Sequence, residues 1–201
     1  MSRELELARE LVKKLEEAEK TNKVQLSELQ PGETFKIGEH DFIVLEQNVC
    51  NGTTNVISKG FMAKGIVFDS NTRDYNKSNL KRAIEENIQP VIESEIGAGN
   101  IIKQAVSLTS VDMQDEFKPC YCKVRPITFN EARKYNNLLF NKGLDDWWWT
   151  CTPWSTADRC LECTVAVVSP SGIINHDCCD YDYGVRPFCI LKSNIFVSKG
   201  E

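Results

Sequence analysis

Residues 145–188 constrain this chain most: DDWWWTCTPWSTADRCLECTVAVVSPSGIINHDCCDYDYGVRPF. The stretch holds all four tryptophans, five of the nine cysteines and one of the two histidines. Its skeleton is legible. Trp147-Trp148-Trp149 is a bulky apolar start, and residues 164–168 are a short, mostly β-branched run of the kind that fills strands. Ser169-Pro170-Ser171-Gly172 reads as a turn, because Pro presets a negative φ and Gly accepts a positive one. Ile173-Ile174 resumes the strand, so 164–175 is expected to be a hairpin. Gly184-Val185-Arg186-Pro187 leads into an apolar run at 188–191. Strand alternation predicts that Trp148 and Trp149 divide, one in the core and one near the surface. A buried Arg186 must have its donors met by carbonyls or a carboxylate.

Upstream, residues 2–20 read as an amphipathic helix. Leu5, Ala8, Val12 and Leu15 fall at a/d spacing, with Ser2 as N-cap and Glu4 and Glu6 where the helix dipole favours acids. Two readings stay open: a helix packed on its own domain, and a short coiled coil that makes homo-oligomers. Residues 34–37 and 42–45 predict a hairpin, Ser78 caps a helix that Pro90 breaks or restarts, and 101–109 reads as a strand. Thr128 with Glu131 forms a capping box opening a helix over 129–139. Short strands mixed irregularly with two or three helices read as α+β. The chain divides into 1–23, the amphipathic helix, and 24–201, one domain.

Trp148-Trp149-Thr150-Cys151-Thr152-Pro153, then a hairpin with a Ser-Gly turn, then Gly184-Val185-Arg186-Pro187, resembles an uncharacterised bacterial and phage domain family. Its members carry Trp-Trp-Leu-Arg-Ser-Pro and a closing Gly-Val-Arg-Pro. The segments Asp74-Tyr75-Asn76-Lys77-Ser78-Asn79-Leu80-Lys81 and Ile127-Thr128-Phe129-Asn130-Glu131-Ala132-Arg133-Lys134-Tyr135 extend the resemblance, which covers residues 25–198. The family is similar to the C-type lectin fold, as are formylglycine-generating enzymes and the variable receptor-binding proteins diversified by retroelements. Thr150, Cys151 and Thr152 stand where the family has Leu, Arg and Ser, so any role of that Arg is absent here. The resemblance implies a C-type-lectin-like fold and a phage or prophage structural or surface-binding setting, with the most variable surface between its two motifs.

Composition narrows the chemistry. A net charge of −5 argues against a general nucleic-acid surface, and no apolar run approaches the roughly 18 residues of a membrane span. The charged N-terminal segment lacks an apolar signal core, so the expected place of synthesis is the cytoplasm, with virion association the destination the resemblance implies. Cys160, Cys163, His176 and Cys178 form a candidate zinc set, because tetrahedral zinc takes soft ligands and C-x-x-C units supply them. The spacing is irregular, and two other readings stand beside zinc: free thiols, and a disulfide joining the ends of the hairpin. Cys120 and Cys122 share a face if they lie on a strand. Asn175, Asp177, Asp180 and Asp182 offer oxygen ligands for calcium, against the plainer reading of a solvated acidic loop. No cofactor is otherwise indicated. Nucleophilic catalysis would rest on His176 with Cys178 or Cys179, whose adjacency in sequence does not supply the geometry.

The remaining residues favour recognition. Trp154, Ser155, Asp158, Arg159, His176, Asp180, Tyr181 and Tyr183 are of the types that binding surfaces use: rigid amphipathic area plus adaptable hydrogen bonds. Pairing across the hairpin is expected to bring 152–163 beside 175–183 as one patch for a protein or glycan. The competing functions are a cysteine and metal oxidase of the formylglycine-generating kind, and an intracellular zinc-stabilised interaction protein.

Overall fold

A computed structural model describes residues 23–200 together with Leu5, Leu7, Arg9, Glu10 and Val12. Those five are helical and exposed; the rest of the predicted 2–20 helix lies outside the described residues. From Lys23 onward the chain is mostly β-sheet with a few short helices, an α+β arrangement. Among the described residues no helix is long and apolar enough to cross a membrane.

The first sheet takes β1 (Lys23–Gln25), β2 (Thr34–Ile37), β3 (His40–Asn48), β4 (Thr53–Ser58), β8 (Val124–Pro126), β13 (Pro187–Lys192) and β14 (Phe196–Lys199). Their order is β1-β14-β2-β3-β4-β13-β8, all antiparallel, so the first described strand pairs with the last. The second sheet holds β5 (Ala63–Val67), β9 (Trp148–Pro153), β10 (Thr164–Val168), β11 (Ile174–Cys178) and β12 (Asp182–Val185), in the order β11-β10-β9-β12-β5. Only the β12–β9 pair is parallel, with Gly184 beside Trp148; β12 meets β5 antiparallel. A pair of short strands, β6 (Gln104–Val106) and β7 (Cys120–Cys122), stands apart.

The local signals explain most elements. Ser78 caps α1 (Asn79–Ala83) by accepting the N–H of Lys81. Pro90 has no N–H to continue the ladder, and a widened π turn at Ile84–Ile88 absorbs the defect before α2 (Gln89–Ile96). Leu80, Ile84, Ile88 and Ile92, four apart, form one buried stripe on the larger core. The capping box forms as expected at α3 (Phe129–Lys134), and α4 (Asn136–Leu139) follows after Tyr135. The hairpin forms too, with Val168 opposite Ile174 and Gly172 at φ 79° in its turn. The expected strand over 101–109 shrinks to Gln104–Val106. There the Ser107 hydroxyl accepts the N–H of Thr109 and shares a hydrogen bond with its hydroxyl, a local turn that competes with the ladder.

Strand β9 separates two cores. Trp149 and Cys151 enter the larger cluster, while Trp148 enters the smaller one beside Phe188, Leu139 and Ile127. Both tryptophans are fully buried, at 0% exposure. The expectation that one would reach the surface fails because both faces of β9 are covered; the alternation itself holds. Arg186 closes the smaller core. It is fully buried, lies 4.8 Å over the Trp148 ring, and donates to the Ser58 carbonyl at 2.9 Å and the Leu139 carbonyl at 3.1 Å. Gly184 is required beside it, since a Cβ there would run into the Phe61 ring.

Truncating Trp148 leaves a cavity and removes the surface under Arg186. Trp148→Ala is expected to cost about 3–5 kcal/mol, read as a lowered urea midpoint with an unchanged slope.

Candidate functional site

The end of β9 sets the site. Pro153 lies opposite Val165, and the N–H of Trp154 donates to the Thr164 carbonyl at 3.0 Å. Trp154 then leaves the strand half-buried. Its ring meets Phe129 edge-on at 6.3 Å and lies 4.6 Å from the His176 ring. His176 is half-buried on β11, opposite Ala166. Trp154 and His176 are therefore brought together as the sequence expects.

The other half of the expected patch lies elsewhere. Successive strand residues point to opposite faces, so Asp177 faces away from His176. The Tyr183 hydroxyl donates to Asp177 Oδ2 at 2.6 Å, and its ring packs 4.9 Å from Trp149. Burial, and then the Asp177 carboxylate, push the Tyr183 phenol up. Tyr181 stacks on Tyr183 at 6.4 Å and is 54% exposed; Asp180 is exposed. The one contiguous patch is thus split between the two faces of the β10–β11 hairpin.

The loop after Trp154 is held from beneath. Arg73 is buried, donates to the Ser155 carbonyl at 3.1 Å, and also donates to the Glu162 carbonyl and the Glu116 carboxylate. Ser155 is itself buried and donates to Asp112 Oδ2 at 2.7 Å, so it adds no surface. Arg159 is exposed and donates to the same oxygen at 2.7 Å, and Asp158 is exposed. Hydrogen bonds from Ser110 and Ser155, reinforced by the Arg159 charge, hold the Asp112 carboxyl below its usual range.

Phe129 joins the Trp154 row to a polar cleft of about 270 Å³ between β6, the 107–113 loop and the start of α3. Its floor is Arg125, which is 2% exposed and lies 4.4 Å over the Phe188 ring. Arg125 forms a two-pronged pair with Glu131, at 2.7 and 2.6 Å, and donates to Gln104 Oε1 at 3.0 Å. Glu131 also accepts the N–H and hydroxyl of Thr128, both at 2.8 Å. Burial alone would raise its pKa; the Arg125 hydrogen bonds and charge, with the Thr128 donors, outweigh this and lower it. The cleft presents amide and hydroxyl groups over a charge-neutral base, a surface suited to polar, uncharged ligand atoms.

The cysteines divide by burial. Cys151 and Cys189 are pushed up to about 12 by burial and are held protonated. Cys120 and Cys122 share the buried face of β7, with Tyr121 outward, as expected. Of the candidate zinc set, Cys163 and Cys178 bring their sulfurs to 3.5 Å, Cys160 is exposed, and His176 is committed to the Trp154 ring. Among the described residues no group of three or more His, Cys, Asp or Glu is arranged to hold a metal ion.

Sequence reasoning missed Arg73, Asp112 and Arg125 as the supports of this region. The available signal was Arg125 inside the otherwise apolar run Val124-Arg125-Pro126-Ile127. No family model, curated protein or solved structure matches the chain.

The linkage of Glu131 gives a signed expectation. A depressed carboxyl pKa adds stability that is fully present above the ordinary value of 4.5 and is lost as pH falls through the lowered one. Glu131→Gln is expected to cost about 3 kcal/mol near neutrality, because it strands a buried guanidinium. The gap to the parent protein should narrow in acid, measured as urea midpoints from pH 7 down to pH 3.

Proposed function

We propose that this chain is a non-catalytic recognition module of C-type-lectin-like architecture, a phage or prophage structural or receptor-binding protein. The bound partner is a protein or glycan, and the reading requires no cofactor. The carrying observation is the half-buried Trp154, set between His176 and Phe129, the latter a residue of the polar cleft's wall. Large aromatics held at the surface by a rigid frame are what binding sites use as anchors. Asp158 and Arg159, both exposed, follow Trp154 in sequence on the next turn. The motifs Trp148-Trp149 and Gly184-Val185-Arg186-Pro187 support the lectin-like architecture through the resemblance they carry, and the virion setting rests on that resemblance alone. Tyr181 offers a second, smaller surface on the other face of the hairpin.

The test uses the full chain against a glycan array and against intact bacterial cells. Trp154→Ala should weaken binding by at least about 2 kcal/mol, roughly 30-fold, with the thermal midpoint nearly unchanged. Retained binding, or a variant that unfolds, would contradict the reading. Metal analysis of the purified protein separates the rivals: stoichiometric copper with thiol oxidation would favour the oxidase, and stoichiometric zinc the metal-stabilised interaction protein.

The N-terminal segment belongs to the same proposal as an oligomerising helix. Leu5 and Val12, two positions of its apolar stripe, are 48% and 52% exposed on this chain and suit contact with another copy. Light scattering should show an oligomer for the full chain and a folded monomer after removal of residues 1–20. A monomer in both cases would end the idea.

A further inference from the structure

Cys163 and Cys178 meet where the β10–β11 hairpin joins the 154–163 loop. Cys163 immediately precedes β10, whose Thr164 lies opposite Cys178. Its carbonyl accepts the N–H of Cys179 at 2.6 Å, which fixes the backbone on both sides. The two Sγ atoms are 3.5 Å apart, in van der Waals contact and about 1.5 Å beyond the bonded distance. Cys163 is exposed and Cys178 half-exposed, so a reagent in water reaches them. The other thiol pair in contact, Cys120 with Cys122, is buried, as are Cys151, Cys179 and Cys189.

We propose that Cys163 and Cys178 are a disulfide site, closed by exchange with a small-molecule disulfide such as oxidised glutathione, which ties the 154–163 loop to β11. The Cys163 thiolate attacks one sulfur of the external disulfide. That S–S bond breaks, one small thiolate leaves, and Cys163 carries a mixed disulfide. Cys178 then gives its proton to water and attacks Cys163 Sγ, expelling the second small thiolate. Two protein thiols lose two electrons and two protons, and the small disulfide takes both up as two thiols. Cys163 is the attacking residue because it is the more exposed. The Cys178 thiol is also pushed up to about 11 by its hydrogen bond to Cys163, then by burial and the Asp180 and Asp177 carboxylates.

The bond has a consequence for recognition. It fixes the end of the loop carrying Asp158 and Arg159 against the strand carrying His176. That consequence rests on the recognition reading; formation of the bond does not, and its test involves no ligand.

The full chain, purified reduced, is equilibrated with glutathione mixtures from fully reduced to fully oxidised, then alkylated, digested and mapped by mass spectrometry. The expected result is a peptide linking Cys163 to Cys178, the loss of two alkylated thiols, and reversal by dithiothreitol. The oxidised form should melt about 5 °C or more above the reduced one, because the bond constrains the unfolded chain. Cys178→Ser should show no such rise and should carry glutathione on Cys163; Cys163→Ser should form no link to Cys178. Cys163 bonded instead to Cys160 or Cys179 would overturn the proposal. So would both thiols remaining alkylatable in the oxidised mixture, or glutathione on the parent protein's Cys163 with no link to Cys178. An unchanged melting point would overturn the tie between loop and strand.

Discussion

Two adjacent tryptophans on one strand can both be buried only if both faces of that strand are covered. Trp148 and Trp149 impose this condition on β9, and the rest of the structure meets it. One face is covered by the larger core, which gathers α1, α2 and much of the seven-stranded sheet; the other by a smaller core closed by α3, α4 and Phe188. β9 is thereby a wall between two cores, while the edge strands β5 and β11 reach water. The candidate site lies at the end of β9, where the strand gives way to Trp154.

Three buried arginines hold that arrangement. Arg186 and Arg73 gather segments far apart in sequence and Arg125 nearer ones: Arg186 takes carbonyls at Ser58 and Leu139, Arg125 takes Glu131 and Gln104, and Arg73 takes the carbonyls of Ser155 and Glu162 with the Glu116 carboxylate. A guanidinium suits this work because its planar fork presents five donors and its face rests on aromatic rings, as Arg186 does on Trp148 and Arg125 on Phe188. Arg186 has no carboxylate among its hydrogen-bond partners in the described residues, and burial lowers its pKa to about 10. It stays charged at neutral pH on carbonyl dipoles and a ring face.

What the sequence shows and what it hides follow range. The hairpin turn, the Ser78 cap and the Thr128 box were legible because each is decided within a few residues. The α+β class followed from the mixture of such pieces. One of Trp148 and Trp149 was expected near the surface, yet both are buried, because alternation tells which face a residue takes, not whether that face is covered. The candidate patch was half legible for the same reason. Trp154 and His176 meet as pairing predicts, but Tyr183 turns to Asp177 across the other face, and a register shift between Val165 and Val167 separates β9 from simple counting. Arg73 and Asp112 were hidden because the contacts that tie them to the loop after Trp154, through Ser155 and Arg159, are distant in sequence.

The central claim is that Trp148 and Trp149 build the frame while Trp154 is left at its surface, where the proposed recognition site lies. Fluorine NMR of the chain labelled with 5-fluorotryptophan, each resonance assigned by a Trp→Phe variant, tests it directly. Trp148 and Trp149 should be insensitive to a soluble paramagnetic quencher and to the change from H2O to D2O, and Trp154 should respond to both. A protected Trp154, or a quenched Trp148 or Trp149, would contradict the account.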